Sequence, residues 1–268
     1  MSDSLIVEDA EPGIRRLTLN RPERRNALDG DLLDRLLEAL ADAKSETPDV
    51  KVLVLSGTGP AFCAGADLKW LNSGVLADHG AHVAFQEKLK AVCVALEAAP
   101  QVVIGAVHGY ALAGGLEVLL ACDLIIAADD ATIGDEHIKR NLLPGGGGSQ
   151  RLPRRIGLSR GLFCLLTGHR MSGKQAEEWG LACASVPATD LDAAALDMAR
   201  GLAERDGRAL DSMKAMARHG YEMPLQDALW WELWTQHRYR SASGAMDAGI
   251  AAFAQGSDKG VAPAAGGR

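Results

Sequence analysis

At 268 residues, with 47% hydrophobic and 24% charged residues, the chain is long enough for one large domain or two small ones with a sizeable core, and its composition excludes a disordered protein. A net charge of −7 argues against a phosphate-backbone binder, which needs a basic face, so no nucleic-acid partner is expected. The five cysteines (Cys63, Cys93, Cys122, Cys164 and Cys183) are scattered and form no C-x-x-C, which suggests neither a zinc site nor a disulfide framework.

The first residues show no basic n-region and no apolar h-region, and no run is long and apolar enough to span a bilayer. No membrane partner is expected, and the expected setting is a reducing cytoplasm.

In chain order, "LIVED" and "IRRLTL" flank Glu11-Pro12-Gly13 and predict a hairpin. Apolar residues at 28, 32, 33, 36, 37 and 40 draw a helical stripe. "VKVLVLSG" is a buried strand, followed by the loop "GTGPAFCAGADLKW". "AHVAFQEKLKAVCVALEAAP" is helical and stops at Pro100. "QVVIGAVHG" and "DLIIAAD" are further buried strands, and "YALAGGLEVLLAC" between them has room for a compact turn and two helical turns. From Ser149 onward helix follows helix, with the last two near 208–219 and 224–241. The tail "GSDKGVAPAAGGR" is rich in Gly and Ala and is expected to fray.

Two loops carry chemistry. In "GYALAGGLE" the small residues let a ligand approach the backbone, and the first-turn N–H groups of the following helix lack internal partners. A carbonyl oxygen gaining negative charge suits that place, and Glu117 lies one turn on. Gly114 and Gly115 equally suit tight helix packing, with Glu117 stabilising the first turn. "GPAFCAGADLKW" likewise exposes successive N–H groups beyond a strand, or is an ordinary strand-to-helix loop. Two such loops beyond neighbouring parallel strands favour a ligand site at the carboxyl ends of the strands.

"LTLNRPERRNALDGDLLDRLLEAL", "VLVLSGTGPAFCAGADLKWL", "VIGAVHGYALAGGLEVLLACDLIIA" and "LLPGGGGSQRLPRRIG" together resemble the enoyl-CoA hydratase/isomerase superfamily, the crotonases, across roughly residues 5–255. The resemblance implies an α/β, crotonase-like spiral of ββα units with a helical C-terminal region. The expected organisation is a core over 1–200, a helical trimerisation region over 201–258, and a disordered tail over 259–268. It also implies acyl-CoA thioester substrates, assembly as a homotrimer or dimer of trimers, and an enolate oxyanion held by two backbone N–H groups. The matching positions are Ala66 and Gly114. Ala64, Ala66, Asp67, Leu68 and Lys69 would line the coenzyme A channel. Arg25 falls where the family often meets a coenzyme A phosphate, or is a solvated loop arginine. No cofactor or metal is implied, because coenzyme A enters as part of the substrate.

Hydratases of this family use two glutamates. One matches Glu117. Counting back from "LLPGGGGSQRL" without gaps, His137 occupies the place of the second, and Glu136 lies one residue off. Glu117 and His137 are therefore the expected catalytic pair for adding water to a 2-enoyl-CoA, a hydro-lyase reaction. A double-bond isomerase running on Glu117 alone, a C–C bond hydrolase, and a catalytically silent coenzyme A-binding scaffold are the alternatives. Gly145–Gly148 is not a phosphate loop, since Gly-Lys-[Ser/Thr] is absent; these glycines are read as structural. His108 and Cys122 are read as packing residues or local hydrogen-bonders, and Trp230, Trp231 and Trp234 as C-terminal helix packing or an intersubunit contact.

Overall fold

The computed structural model describes residues 3–255. The expected disordered tail, and residues 256–258 of the helical region, lie outside the described residues.

The hairpin forms as expected: β1 (Leu5–Glu11) pairs antiparallel with β2 (Ile14–Leu19). α1 (Gly30–Ser45) starts where the Asp29 carboxylate accepts the Leu32 N–H, and buries its Leu32, Leu33, Leu36 and Leu40 stripe. β3 (Val52–Gly57), β4 (Val102–Val107) and β6 (Leu124–Ala128) continue a parallel sheet beside β2, and β9 (Ala184–Val186) closes its edge. Every residue of β4 is buried, which explains its unbroken apolar run.

A second, three-stranded sheet holds β5 (Tyr110–Leu112), β7 (Thr132–Gly134) and β8 (Arg170–Ser172). It makes the repeat visible. A strand of the large sheet leads to a short strand of the small one and then to a helix. β4 and β5 lead to α4 (Gly114–Ala121); β6 and β7 lead to α5 (Gly148–Ile156). In the preceding turn of the spiral, β3 runs on to Cys63, which bridges Ala111 of β5, before α2 (Leu68–Trp70) and α3 (His79–Ala98). The glycine-rich turn at Gly114 thus follows a strand of the small sheet, not directly the buried strand β4 as the sequence reading had it.

α6 (Leu158–Thr167) and α7 (Gly173–Glu178) follow α5, and α8 (Leu191–Ala203) packs on β3, β4 and β6. α8 therefore crosses the expected boundary at residue 200. α9 (Gly207–Tyr221) pairs with α10 (Leu225–Ala242), and α11 (Ala245–Ala254) ends the described chain. α9 is tied to the core by charge: Lys214 and Arg218 both reach Asp123, at 2.7 and 2.8 Å. α10 leaves Leu225, Leu229, Trp230, Leu233 and Trp234 exposed.

Candidate active site

α4 is buried over its whole length, and Glu117 in its first turn is fully buried. Its Oε1 accepts the backbone N–H of Gly148 at 2.8 Å, the first residue of α5. Oε2 is also buried and has no hydrogen-bond partner among the described residues. Burial pushes the Glu117 carboxyl above the ordinary carboxylate value, while the Gly148 N–H and a charge on His137 pull against that shift.

The segment after β7 turns out of the sheet before Glu136, so strand alternation does not apply there. Asp135 is buried, and its Oδ1 accepts both the His137 backbone N–H at 3.2 Å and the ring Nδ1 at 2.9 Å. His137 opens a short 3-10 helix over 137–140. Its Nε2 lies 3.9 Å from Glu117 Oε2. Burial pulls the imidazole down, but the hydrogen bond and charge of Asp135 and the charge of Glu117 outweigh it and raise His137 overall.

Glu136 points elsewhere. It pairs with Lys139 at 2.9 Å, with Arg140 at 3.7 Å, and with Arg170. The Arg170 hydrogen bond overcomes burial and, with Lys139, holds this carboxyl down to about 2. Of the two neighbours left open by counting, His137 meets Glu117 and Glu136 does not.

The glycine run is a wall of this site. A Cβ on Gly146 would sit 3.1 Å from the Glu117 carboxyl carbon. One on Gly148 would meet Asp135 Oδ2 at 2.8 Å and Glu117 Cγ at 3.2 Å. Glycine lets both acidic side chains crowd one backbone segment, and the same segment supplies the N–H that holds Glu117. On its other side the wall borders a cavity of about 1020 Å³ between α3, α5 and α9, lined by Gly145–Gly147 together with Glu97, Arg151, Lys214 and Arg218. Neither Glu117 nor His137 lines that cavity. In its lining Glu97 pairs with Arg151 at 2.6 Å, and Asp123 with Lys214 at 2.7 Å and Arg218 at 2.8 Å.

The two N–H groups come together as follows. Leu28 N–H donates to Gly65 O and Asp67 N–H donates to Leu28 O, each at 2.8 Å. Backbone alternation turns the intervening Ala66 N–H away from Leu28. Among the described residues neither Ala66 N–H nor Gly114 N–H, the first of α4, has an acceptor. They are neighbours: a Cβ on Gly114 would lie 3.5 Å from Ala66 N. Gly65, at φ +97°, turns the chain closely past Leu112 O.

The N-cap of α4 is Ala113, at φ 49°, ψ −117°, a conformation disfavoured for any residue with a Cβ. It aims Gly114 N–H. The Ala113 N–H itself donates to Gly134 O at 3.0 Å, which ties this turn to the strand that leads to Asp135.

The other expected contacts are placed as follows. The Arg25 backbone carbonyl accepts the Ala64 N–H at 3.0 Å, and its exposed guanidinium lies 5.5 Å from the Tyr110 ring centre. Leu68 and Lys69 are exposed. The Asp67 carboxylate caps α2 through the Lys69 and Trp70 N–H groups and pairs with Arg21 at 3.1 Å. His108 hydrogen-bonds Gly59 O at 2.9 Å, and Cys122 is buried.

Two contributors escaped the sequence reading. Asp135, two residues before His137, is one. Leu89 is the other: its side chain packs between Gly114 and Gly146 and gives the site an apolar wall. Among the described residues no group of three or more His, Cys, Asp or Glu side chains is arranged to hold a metal ion. No helix among them is long and apolar enough to cross a membrane.

A buried carboxylate facing an imidazole, next to two free N–H groups, can move a proton at a carbon beside a carbonyl while the oxygen's growing charge is held. The enoyl-CoA hydratase/isomerase family profile matches residues 9–259. A probable enoyl-CoA hydratase of Mycobacterium tuberculosis, echA8, is 36% identical over 93% of both chains. The human mitochondrial enoyl-CoA hydratase domain-containing protein 2 is 40% identical over 72% of this chain and 65% of its own. Among solved structures, an enoyl-CoA hydratase of Bacillus anthracis superposes with a TM-score of 0.89 at 32% identity, over 94% of this chain and 96% of that one. One from Polaromonas sp. JS666 gives 0.89 at 30% identity, over 94% and 97%. The stacked ββα spiral is shared with these structures.

Proposed function

The chain belongs to the enoyl-CoA hydratase/isomerase family, and on that premise we propose that it adds water across the α,β double bond of a 2-enoyl-CoA thioester. The observation that carries this reading is the facing pair: Glu117 Oε2 and His137 Nε2, 3.9 Å apart. One water with ordinary ~2.8 Å hydrogen bonds to both, donating to the Glu117 carboxylate and accepting from a protonated His137 Nε2, would subtend about 90° at its oxygen.

Hydration needs a base for the water and an acid for the α-carbon. A pair sharing one proton supplies both. Glu117 takes a proton from the water as its oxygen bonds to C3. The thioester oxygen gains negative charge, which the Ala66 and Gly114 N–H groups receive. The imidazolium of His137 delivers a proton to C2, which leaves the pair's single proton on Glu117, and its transfer from Glu117 to His137 restores the starting state. Coenzyme A is part of the substrate in this scheme, with Arg25 and the 64–69 stretch as its proposed contacts and no separate cofactor.

The Asp135–His137 hydrogen bond also supports a second reading, hydrolytic C–C cleavage of a β-keto thioester, in which the imidazole activates water. Double-bond isomerisation, by contrast, leaves His137 without a role.

The exposed apolar residues of α10 support assembly as a homotrimer or a dimer of trimers. Light scattering that finds a monomer at micromolar concentration would remove that part. For the reaction, wild type should bleach the conjugated thioester absorbance of a 2-enoyl-CoA. Glu117→Gln should not, and His137→Gln should do so slowly while still binding the thioester. Undiminished turnover by Glu117→Gln would overturn the mechanism.

A further inference from the structure

We infer that Asp135 is a positioning residue that holds the His137 imidazole by Nδ1, keeps the neutral ring's proton on that nitrogen, and thereby presents Nε2 to Glu117 and the substrate. The inference rests on the reading of His137 as the proton partner of Glu117.

Three observations converge. Asp135 is 1% exposed, and a single oxygen, Oδ1, takes both the backbone N–H and the ring Nδ1 of His137. The first bond fixes the turn and the second fixes the ring. With Nδ1 occupied as a donor, the remaining nitrogen carries the lone pair, and that nitrogen is the one 3.9 Å from Glu117. The second Asp135 oxygen is buried with no hydrogen-bond partner among the described residues. A turn alone explains the backbone contact. It does not explain a buried acid that leaves one oxygen unpartnered and directs the other at a ring nitrogen.

Gly148 accounts for how two acids fit here. A side chain at that position would strike Asp135 Oδ2 at 2.8 Å, so its absence lets Asp135 reach the ring from one side while Glu117 faces it from the other. The titratable groups around His137 are these two carboxyls, with Arg151 of α5 acting on Glu117. The Cys93 and Cys164 thiols, pushed up by burial, stay neutral near pH 7. Glu136 is neutralised by Arg170 and Lys139.

The test is ¹⁵N NMR of histidine-labelled full-length protein, with His137→Gln identifying the His137 signals. Wild type at high pH should show His137 protonated at Nδ1. Asp135→Asn retains an oxygen for the backbone N–H, so it keeps the turn and removes the charge. It should lower the His137 midpoint by about 1 pH unit or more and lower kcat about 10²-fold with KM near wild type. The wild-type tautomer needs no turnover and no change at Asp135, so it reports on Asp135 even where the hydratase reading fails. An Nε2-protonated His137 in wild type would overturn the inference. So would a folded Asp135→Asn protein with an unchanged His137 midpoint, the result expected of a purely structural residue.

Discussion

Glu117 Oε2 and His137 Nε2 face each other at 3.9 Å, each held from behind, the carboxyl by Gly148 N–H and the imidazole by Asp135. The pair titrates as a unit. Burial raises Glu117 from an ordinary 4.5. At His137, with an ordinary 6.5, burial pulls down but Asp135 and Glu117 prevail and the direction is up. The one-proton form should therefore span neutral pH, and kcat should trace a bell. Its acid limb, where both groups are protonated and no base remains, should lie above the ordinary glutamate value. Its alkaline limb, where the acid is gone, should lie above the ordinary histidine value. His137→Gln should remove the alkaline limb and lower kcat by about 10²- to 10⁴-fold. A wild-type profile flat from about pH 5 to 9 would contradict the shared proton.

The same burial that tunes Glu117 weakens the fold. A carboxyl whose pKa is raised by folding contributes its full stability below its unfolded value and loses it as pH rises through the folded one. Glu117→Gln should thus be more stable than wild type near pH 8 and equal to it below about pH 4. Thermal melts across pH check the crossover. A variant less stable at pH 8 would contradict the direction.

Glu136 predicts the opposite pH dependence with no loss of activity. Its carboxyl, held at about 2 by Arg170 and Lys139, contributes stability above the unfolded value near 4.5, and this is lost as pH falls through 2. Glu136→Gln should lower stability at pH 7 by about 1–3 kcal/mol, a deficit that narrows in acid, while kcat stays within about 2-fold of wild type. A large fall in kcat without loss of structure would bring Glu136 back into the site.

Ala113 stores backbone strain where Gly114 N–H is aimed. Ala113→Gly relieves a conformation costing about 1–3 kcal/mol, against about 0.4–1 kcal/mol of added unfolded-chain freedom. Stability should rise by about 1 kcal/mol, read as a higher Tm. An unchanged or lower Tm would show that the surrounding structure carries the turn without strain.

The sequence announced the large sheet and most helices because their patterns are long: "VLVLSG" and the α1 stripe leave little choice of period. It did not announce β5, β7, β8 or β9. Three residues cannot display an alternation; β5, β7 and β8 form by pairing with one another, and β9 by pairing with β6. The Glu117 position was legible from its motif, and His137 from gap-free counting. The choice between His137 and Glu136 was not, because it depends on a turn after Gly134 and on Arg170, thirty-odd residues away. Asp135 was within reach: an acid two residues before a histidine in a turn can bond both its backbone and its ring.

The most direct test of the proposed chemistry is product analysis in H₂¹⁸O. Purified protein is incubated with 2-enoyl-, 3-enoyl- and cyclic β-keto-acyl-CoA thioesters, and the products are weighed by mass spectrometry. A 3-hydroxyacyl-CoA carrying one ¹⁸O, formed from the 2-enoyl substrate and lost in Glu117→Gln, is the predicted result. A ring-opened acid, an unlabelled double-bond isomer, or bound but unreacted thioester in place of that product would contradict it.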